Sequence, residues 1–184
     1  MIIVYLLLLT FLLLIFVAFT VFIIAELVAE FTTDAPFVPI PKEIEDDVVE
    51  ALELKPDSIL YDLGCGDARI LLKAVKKHPT IKAVGIEVAF VPYLLAKLKT
   101  RKHENIIIKR ENIFKTDISG ATHIFMYLYP KVINKLIGTI KNQCSPNTVL
   151  VTCDFEITSI SPIKIIELEK TSHPRGKKLF VYNI

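Results

Sequence analysis

The run Ile59-Leu60-Tyr61-Asp62-Leu63-Gly64-Cys65-Gly66-Asp67-Ala68-Arg69-Ile70 constrains the fold more than any other stretch of the chain. Apolar residues lead into an acid, two glycines follow, and a helical pattern begins at once. That is a strand, a tight turn and a helix start, the unit that opens a doubly wound α/β sheet, in which ligands bind outside the carboxyl ends of the strands. Glycine suits such a turn because a Cβ would hold a ligand off the backbone and because a sharp turn often needs φ > 0. A dinucleotide fingerprint reads G-x-G-x-x-G and sets a helix N-terminus on a pyrophosphate. Here Arg69 occupies the third glycine position, and Asp62 and Asp67 flank the turn. Paired acids suit a cationic ligand better than a pyrophosphate, which counts against an NAD-dependent oxidoreductase.

Apolar spacing predicts the rest of the sheet. An amphipathic helix over 42–54 carries Ile44, Val48, Val49 and Leu52 on one face. Strands are expected at 58–61, 81–87, 106–109, 122–128 and 148–153, with helices near 67–77, 90–102 and 131–141. Runs at 163–169 and 178–183, parted by Ser172-His173-Pro174-Arg175-Gly176, read as a hairpin. The expected fold is α/β and Rossmann-like: five β–α steps in a doubly wound, mostly parallel seven-stranded sheet, closed by a C-terminal antiparallel hairpin.

Candidate site residues lie at the strand ends. Glu87 closes the second strand 21 residues after Gly66, where a carboxylate can accept both ribose hydroxyls of an adenosine; the alternative is a helix N-cap carboxylate. After the third strand, the Asn112 amide can meet the amino edge of an adenine and Ile113 its face, the alternative being an ordinary Asx turn. The fourth strand ends in Tyr127-Leu128-Tyr129-Pro130 and the fifth in Asp154-Phe155. The fourth strand's end should face the reacting group of the ligand; packing under the next helix is the other reading of both tyrosines.

Residues 1–25 contain no charged side chain, long enough at about 1.5 Å per residue to cross a ~30 Å hydrocarbon core. They read as a retained transmembrane helix, followed by a Pro-containing connector over 26–41 and a catalytic domain over 42–184. The first basic residue is Lys42, so charge bias gives no orientation. With 22 Lys+Arg against 20 Asp+Glu, the net charge of +2 excludes a strong nucleic-acid footprint. Cys65, Cys144 and Cys153 are scattered without metal-ligand spacing, which points to reduced thiols and no metal.

The hexapeptide Asp62-Leu63-Gly64-Cys65-Gly66-Asp67 resembles the first motif of class I S-adenosylmethionine (SAM)-dependent methyltransferases. The resemblance implies SAM bound at Asp62, Gly64, Cys65, Gly66, Asp67, Glu87, Asn112 and Ile113. The apolar N-terminal stretch, the connector Pro36-Phe37-Val38-Pro39-Ile40-Pro41, the Leu-Tyr-Pro strand end and Asp154-Phe155 are similar to a narrower family. These are the membrane-anchored protein-lysine methyltransferases acting on the ATP synthase c subunit and the adenine nucleotide translocase, with their prokaryotic relatives. Ala68 stands where that family usually has glycine, and the spacing from Glu87 to Pro92 is longer than usual. The implied substrate is a protein in or near the membrane, its amine met by Tyr127, Tyr129 and Asp154, with the domain on the cytoplasmic side where SAM is made. An Asn/Asp-Pro-Pro-Tyr sequence, common in base methylation, is absent. A lipid or quinone-like substrate would gain as much from a membrane helix, and a non-catalytic SAM-fold interaction module is the third alternative.

Overall fold

The computed structural model describes residues 1–32, 39–169 and 174–184, and over 25–32 the backbone alone. The chain falls into two compact units, Met1–Pro36 and Phe37–Ile184.

The described residues of the first unit form one helix, α1 (Ile2–Thr32), which continues past the boundary at residue 25 that charge alone suggests. Over Ile2–Ile24 it is apolar, uncharged and exposed on all sides. Its 23 residues extend about 35 Å, enough to cross a hydrocarbon core. The hydroxyls of Thr10 and Thr20 donate back to the carbonyls of Leu7 and Phe16, so these polar groups are satisfied within the helix.

The second unit holds a seven-stranded sheet of β1 (Ile59–Leu63), β2 (Lys82–Ile86), β3 (Ile106–Lys109), β4 (His123–Met126), β5 (Val149–Cys153), β6 (Lys164–Glu167) and β7 (Lys178–Asn183). Their order is β3-β2-β1-β4-β5-β7-β6, with only β7 antiparallel to its neighbours. A 3-10 turn (Lys42–Ile44) leads into α2 (Glu45–Ala51), and α3 (Arg69–Lys77), α4 (Phe90–Thr100) and α5 (Pro130–Gln143) form the helical crossovers.

The five expected β–α steps reduce to three. Residues 110–122 join β3 to β4, and 154–163 join β5 to β6, without a helix. In the first segment Asn112 and Asp117 accept from the N–H groups of Phe114 and Ser119, so side chains compete for the donors a helix would need. The second begins at Asp154 with φ +61° and contains Pro162, both unfavourable to a helix.

Alternation along the strands builds the core. Leu60, Ala83, Ile106, Ile108, Phe125, Val151, Cys153, Leu179 and Val181 join the apolar faces of α2 and α3, plus Ala96 of α4, in one buried cluster. Leu63, Ile86, Ile124, Met126, Leu150, Phe180 and Tyr182 are the alternate residues, also buried. Among the described helices, α5 remains to cover them with its buried stripe Val132, Ile133, Leu136, Ile137 and Ile140. Strand β4, near the middle, is buried along its whole length, as a parallel strand covered on both faces should be. The three cysteines are free and buried.

Candidate active site

Parallel strands β1, β2, β4 and β5 bring their carboxyl ends to one edge of the sheet. The turn after β1 hugs β2, since the N–H groups of Gly64 and Cys65 both donate to the Ile86 carbonyl, at 2.9 and 3.0 Å. The backbone is left-handed at Gly64 (φ +84°), Gly66 (φ +54°) and Ala68 (φ +63°). Ala68 therefore occupies a conformation that costs an L-residue about 1–2 kcal/mol and a glycine little. A Cβ built on Gly64 would lie 2.8 Å from Cδ2 of Leu128, so the turn and the end of β4 are in close approach.

Glu87 is buried and staples β2 to the turn. Its Oε2 accepts from the N–H of Gly66 and its Oε1 from the N–H of Ala89, each at 2.9 Å. The N-cap of α4 is Ala89, with no side-chain capping bond, so Glu87 is not the N-cap carboxylate of the alternative reading. Each carboxylate oxygen keeps a second lone pair for a ligand hydroxyl.

Asp62 is fully enclosed at the end of β1. Burial first, then the carboxylates of Glu87 and Asp67, push its pKa up to about 8. Asp67 has the opposite character. Burial alone would raise it, but hydrogen bonds from Arg69 and Lys99 outweigh that and hold its carboxyl down at about 2. Arg69 grips it with two bonds, Nε to Oδ1 at 2.9 Å and Nη2 to Oδ2 at 3.0 Å, while Lys99 Nζ reaches Oδ2 at 2.5 Å. The sequence pattern puts Asp67 among the cofactor contacts; in the structure both its oxygens face cations of α3 and α4, and it braces the turn. Cys65 is buried behind the turn, its thiol pushed well up by burial and by the Asp62 and Glu87 carboxylates.

Asn112 forms the Asx turn: its Oδ1 accepts from the N–H of Phe114 at 2.9 Å. Its side chain is exposed and Ile113 is half-buried. Nearby, the Arg110 guanidinium lies 4.9 Å from the centre of the Phe90 ring.

At the other side of the edge, the Tyr127 hydroxyl donates to Oδ2 of Asp154 at 3.3 Å. Burial, then the Asp154 carboxylate, raise the phenol well above its usual range, so it stays protonated as the donor. Asp154 also accepts from Gly176 N–H (Oδ2, 2.7 Å) and Lys177 N–H (Oδ1, 2.7 Å), tying β5 to the loop before β7. With a fourth, longer bond from the Lys178 N–H to Oδ1 at 3.4 Å, four donors meet its two oxygens, and Asp154 is a structural hub. Tyr129 is the N-cap residue of α5, half-exposed, its ring 6.1 Å from that of Phe155 and tilted by 32°.

A further contact runs to the start of the unit. Arg69 Nη1 donates to the Ile40 carbonyl at 3.0 Å. A Cβ on Gly176 would lie 2.7 Å from Cδ1 of Ile44 and 3.1 Å from Cγ of Pro41. Residues 40–44 thus pack between the brace of the glycine turn and the loop held by Asp154. Ile40 and Pro41, assigned by composition to the connector, are part of this packed unit. Pro36, Phe37 and Val38 of that connector, and residues 170–173 of the hairpin turn, lie outside the described residues. Among the described residues, no group of His, Cys, Asp or Glu side chains has the makings of a metal site.

A seven-stranded sheet of this order, with a glycine turn and carboxylates at the carboxyl ends of β1 and β2, defines a class I SAM-dependent methyltransferase. Residues 62–164, more than half of the chain, match the family described as the ANTKMT methyltransferase domain, and the chain belongs to that family. A protein-lysine N-methyltransferase of Saccharolobus islandicus (strain REY15A) is 34% identical over 137 residues, 73% of this chain and 85% of that protein. The human lysine N-methyltransferase of the ATP synthase c subunit is 26% identical over 132 residues, 69% of this chain and 54% of that protein, so the chain spans about half the human relative's length. An RNA methyltransferase from Salinibacter ruber, solved with S-adenosyl-L-homocysteine, superposes with a TM-score of 0.73 at 31% identity, over 80% of this chain and 94% of that one. The methyl donor is SAM.

Arg69, Lys99 and the loop at Gly176 are parts of the site that local sequence reading misses. An arginine at the third glycine position is a signal for the first. Lys99 lies 32 residues from Asp67 and carries no local signal.

Proposed function

We propose that this enzyme methylates a lysine amine of a protein in or at a membrane, with α1 as the anchor and the catalytic unit on the cytoplasmic side. The observation that carries the reading is the 34% identity to a protein-lysine N-methyltransferase across 73% of the chain. The exposed apolar length of α1 supports the anchor. An anchor confines the enzyme to the plane of its substrates and raises their effective concentration.

When bound, SAM supplies a methyl group on a good leaving group, so the residues here mostly bind and align. In this proposal Asp62 and Glu87 face the cationic and ribose parts of the donor, and the backbone at Gly64, Cys65 and Gly66 allows its close approach. Asn112 and Ile113 border the adenine, while Asp67 acts only by holding the turn. The half-exposed face of Tyr129 attracts the incoming ammonium. Tyr127 and Asp154 fix the rim on which the amine is aligned. Desolvation and the nearby positive charge lower the amine's pKa, so that it arrives neutral.

A second reading, methylation of RNA, is favoured by the Salinibacter ruber structure. Labelled-methyl transfer decides between them. Native membranes and total RNA are each incubated with the full-length protein and methyl-labelled SAM. The expected product is protease-sensitive, membrane-bound label recovered as methyl-lysine. Label recovered in nucleotides, or extracted into organic solvent as a lipid or quinone, would overturn the lysine reading.

A further inference from the structure

Helix α4 is apolar on the side turned away from the core. Pro92, Ala96 and Thr100 are buried against the sheet, whereas Val91, Leu94, Leu95 and Leu98 are 43–54% exposed, and Val88, just before the helix, is 45% exposed. These positions follow the i, i+3/i+4, i+7 spacing of one helical face. Single exposed leucines are ordinary; a continuous stripe rimmed by polar groups marks an interaction site.

The rim is basic. From Val88 to His103 the sequence contains no acid and the cations Lys97, Lys99, Arg101 and Lys102. Lys99 is committed to Asp67. Lys97 flanks the stripe, and Arg101 and Lys102 prolong it; all three are exposed. Residues 42–184 hold all 22 Lys+Arg and 17 of the 20 Asp+Glu, a net +5 against +2 for the whole chain. A basic amphipathic helix of this composition lies in the headgroup plane, its leucines at the acyl boundary and its long cations reaching to anionic phosphates.

We infer that α4 is a second membrane contact, docking the catalytic unit on an anionic lipid surface through Val91, Leu94, Leu95 and Leu98, with Lys97, Arg101 and Lys102 on the headgroups. A second copy is the poorer occupant, because residues 88–103 offer no acid to meet the basic rim of a partner helix. The inference rests on the membrane reading of α1 and deepens it. Helix α4 begins three residues after Glu87, so a docked α4 sets the cofactor end of β2 at headgroup depth. The acceptor amine is then one exposed within the headgroup layer, rather than one far out in solution.

The absence of tryptophan makes a direct test clean. Three single-tryptophan variants of the full-length protein, Leu98→Trp on α4, Ile165→Trp on the exposed edge strand β6 and Phe16→Trp on α1, are reconstituted in phosphatidylcholine vesicles with and without phosphatidylglycerol. Retained SAM binding confirms that each is folded. Leu98→Trp is expected to shift its emission to shorter wavelength and to be quenched by lipids brominated near the headgroup, more so with phosphatidylglycerol. Lys97→Glu together with Arg101→Glu and Lys102→Glu should remove that quenching, and Ile165→Trp should show none. An unquenched Leu98→Trp beside a quenched Phe16→Trp overturns the inference and leaves the anchor standing. A Phe16→Trp left unquenched also by lipids brominated in mid-chain, the depth at which α1 would hold it, overturns the anchor itself. A Leu98→Trp shift that ignores bromine but disappears on dilution of the protein identifies a second copy and also overturns the inference.

Discussion

The N–H of Gly66 donates to Oε2 of Glu87 at 2.9 Å, across 21 residues of sequence, and the N–H of Ala89 donates to Oε1 at the same distance. One carboxylate therefore shapes the glycine turn before any donor molecule arrives. Glu87→Ala leaves two N–H groups without this acceptor and removes the proposed ribose contact. SAM binding should weaken by about 1–3 kcal/mol, the cost of losing a charged hydrogen-bond partner. Calorimetric titration of the detergent-solubilised protein, with NAD as control, measures it; unchanged affinity would remove Glu87 from the cofactor site.

Asp62 predicts a pH dependence of opposite sign to an ordinary surface carboxylate. Its pKa is raised from 3.8 to about 8 by burial and by neighbouring carboxylates. Between these values the folded protein holds a proton that the unfolded chain has lost, so this group's contribution to stability is full below pH ~4 and is lost as pH rises through ~8. A cationic donor stabilises the charged form and should expel that proton. Titration with SAM near pH 7 in two buffers of different ionisation enthalpy should report proton release, and Asp62→Asn should abolish it.

Behind the turn, space is tighter than at its mouth. A Cβ on Gly85 would lie 2.7 Å from Cys65 Sγ, 2.8 Å from Leu71 Cδ1 and 2.9 Å from Ile108 Cδ1. Gly85→Ala should destabilise by about 1–3 kcal/mol, as overpacking does. Cys65→Ala in the same chain should recover part of that by removing the sulfur. Denaturant titration of the single and double variants checks both statements.

Asp154 and Tyr127 separate two kinds of loss. Asp154→Ala deprives Gly176, Lys177 and Tyr127 of their acceptor. It should lower kcat strongly while leaving SAM affinity near wild type if, as proposed, the loop it anchors borders the amine and not the adenosine. Tyr127→Phe removes one bond from the hub and should cost only about 0.5–1.5 kcal/mol of stability. Steady-state kinetics with SAM titration give the split; a Tyr127→Phe enzyme as damaged as Asp154→Ala would assign the phenol a direct role in transfer.

Periodicity made the order and type of the sheet elements legible. Strand β3 occupies the same four residues, 106–109, that its Ile-Ile-Ile-Lys run marks, and α5 begins at Pro130, one residue before the expected start. Only the count of five β–α steps went too far: no helical period marks 110–122 or 154–163, and in the first of them the side-chain acceptors Asn112 and Asp117 form turns instead. Within the site, position could be read: Asp62, Glu87 and Asp154 lie at the carboxyl ends of β1, β2 and β5. Pairing across the fold could not. Nothing near Asp67 announces Lys99, and nothing near Pro41 announces Gly176.

That last contact changes what counts as a separable catalytic piece. The Ile40 carbonyl holds Arg69, and Pro41 and Ile44 lie against Gly176. A chain shortened to begin at the first helix of the sheet layer would lose one wall of its own cofactor turn and one support of its hairpin loop. The apolar span can be exchanged for another, or for a soluble fusion, only if the cut falls before Pro39; the few residues that follow the span are inherited with the enzyme.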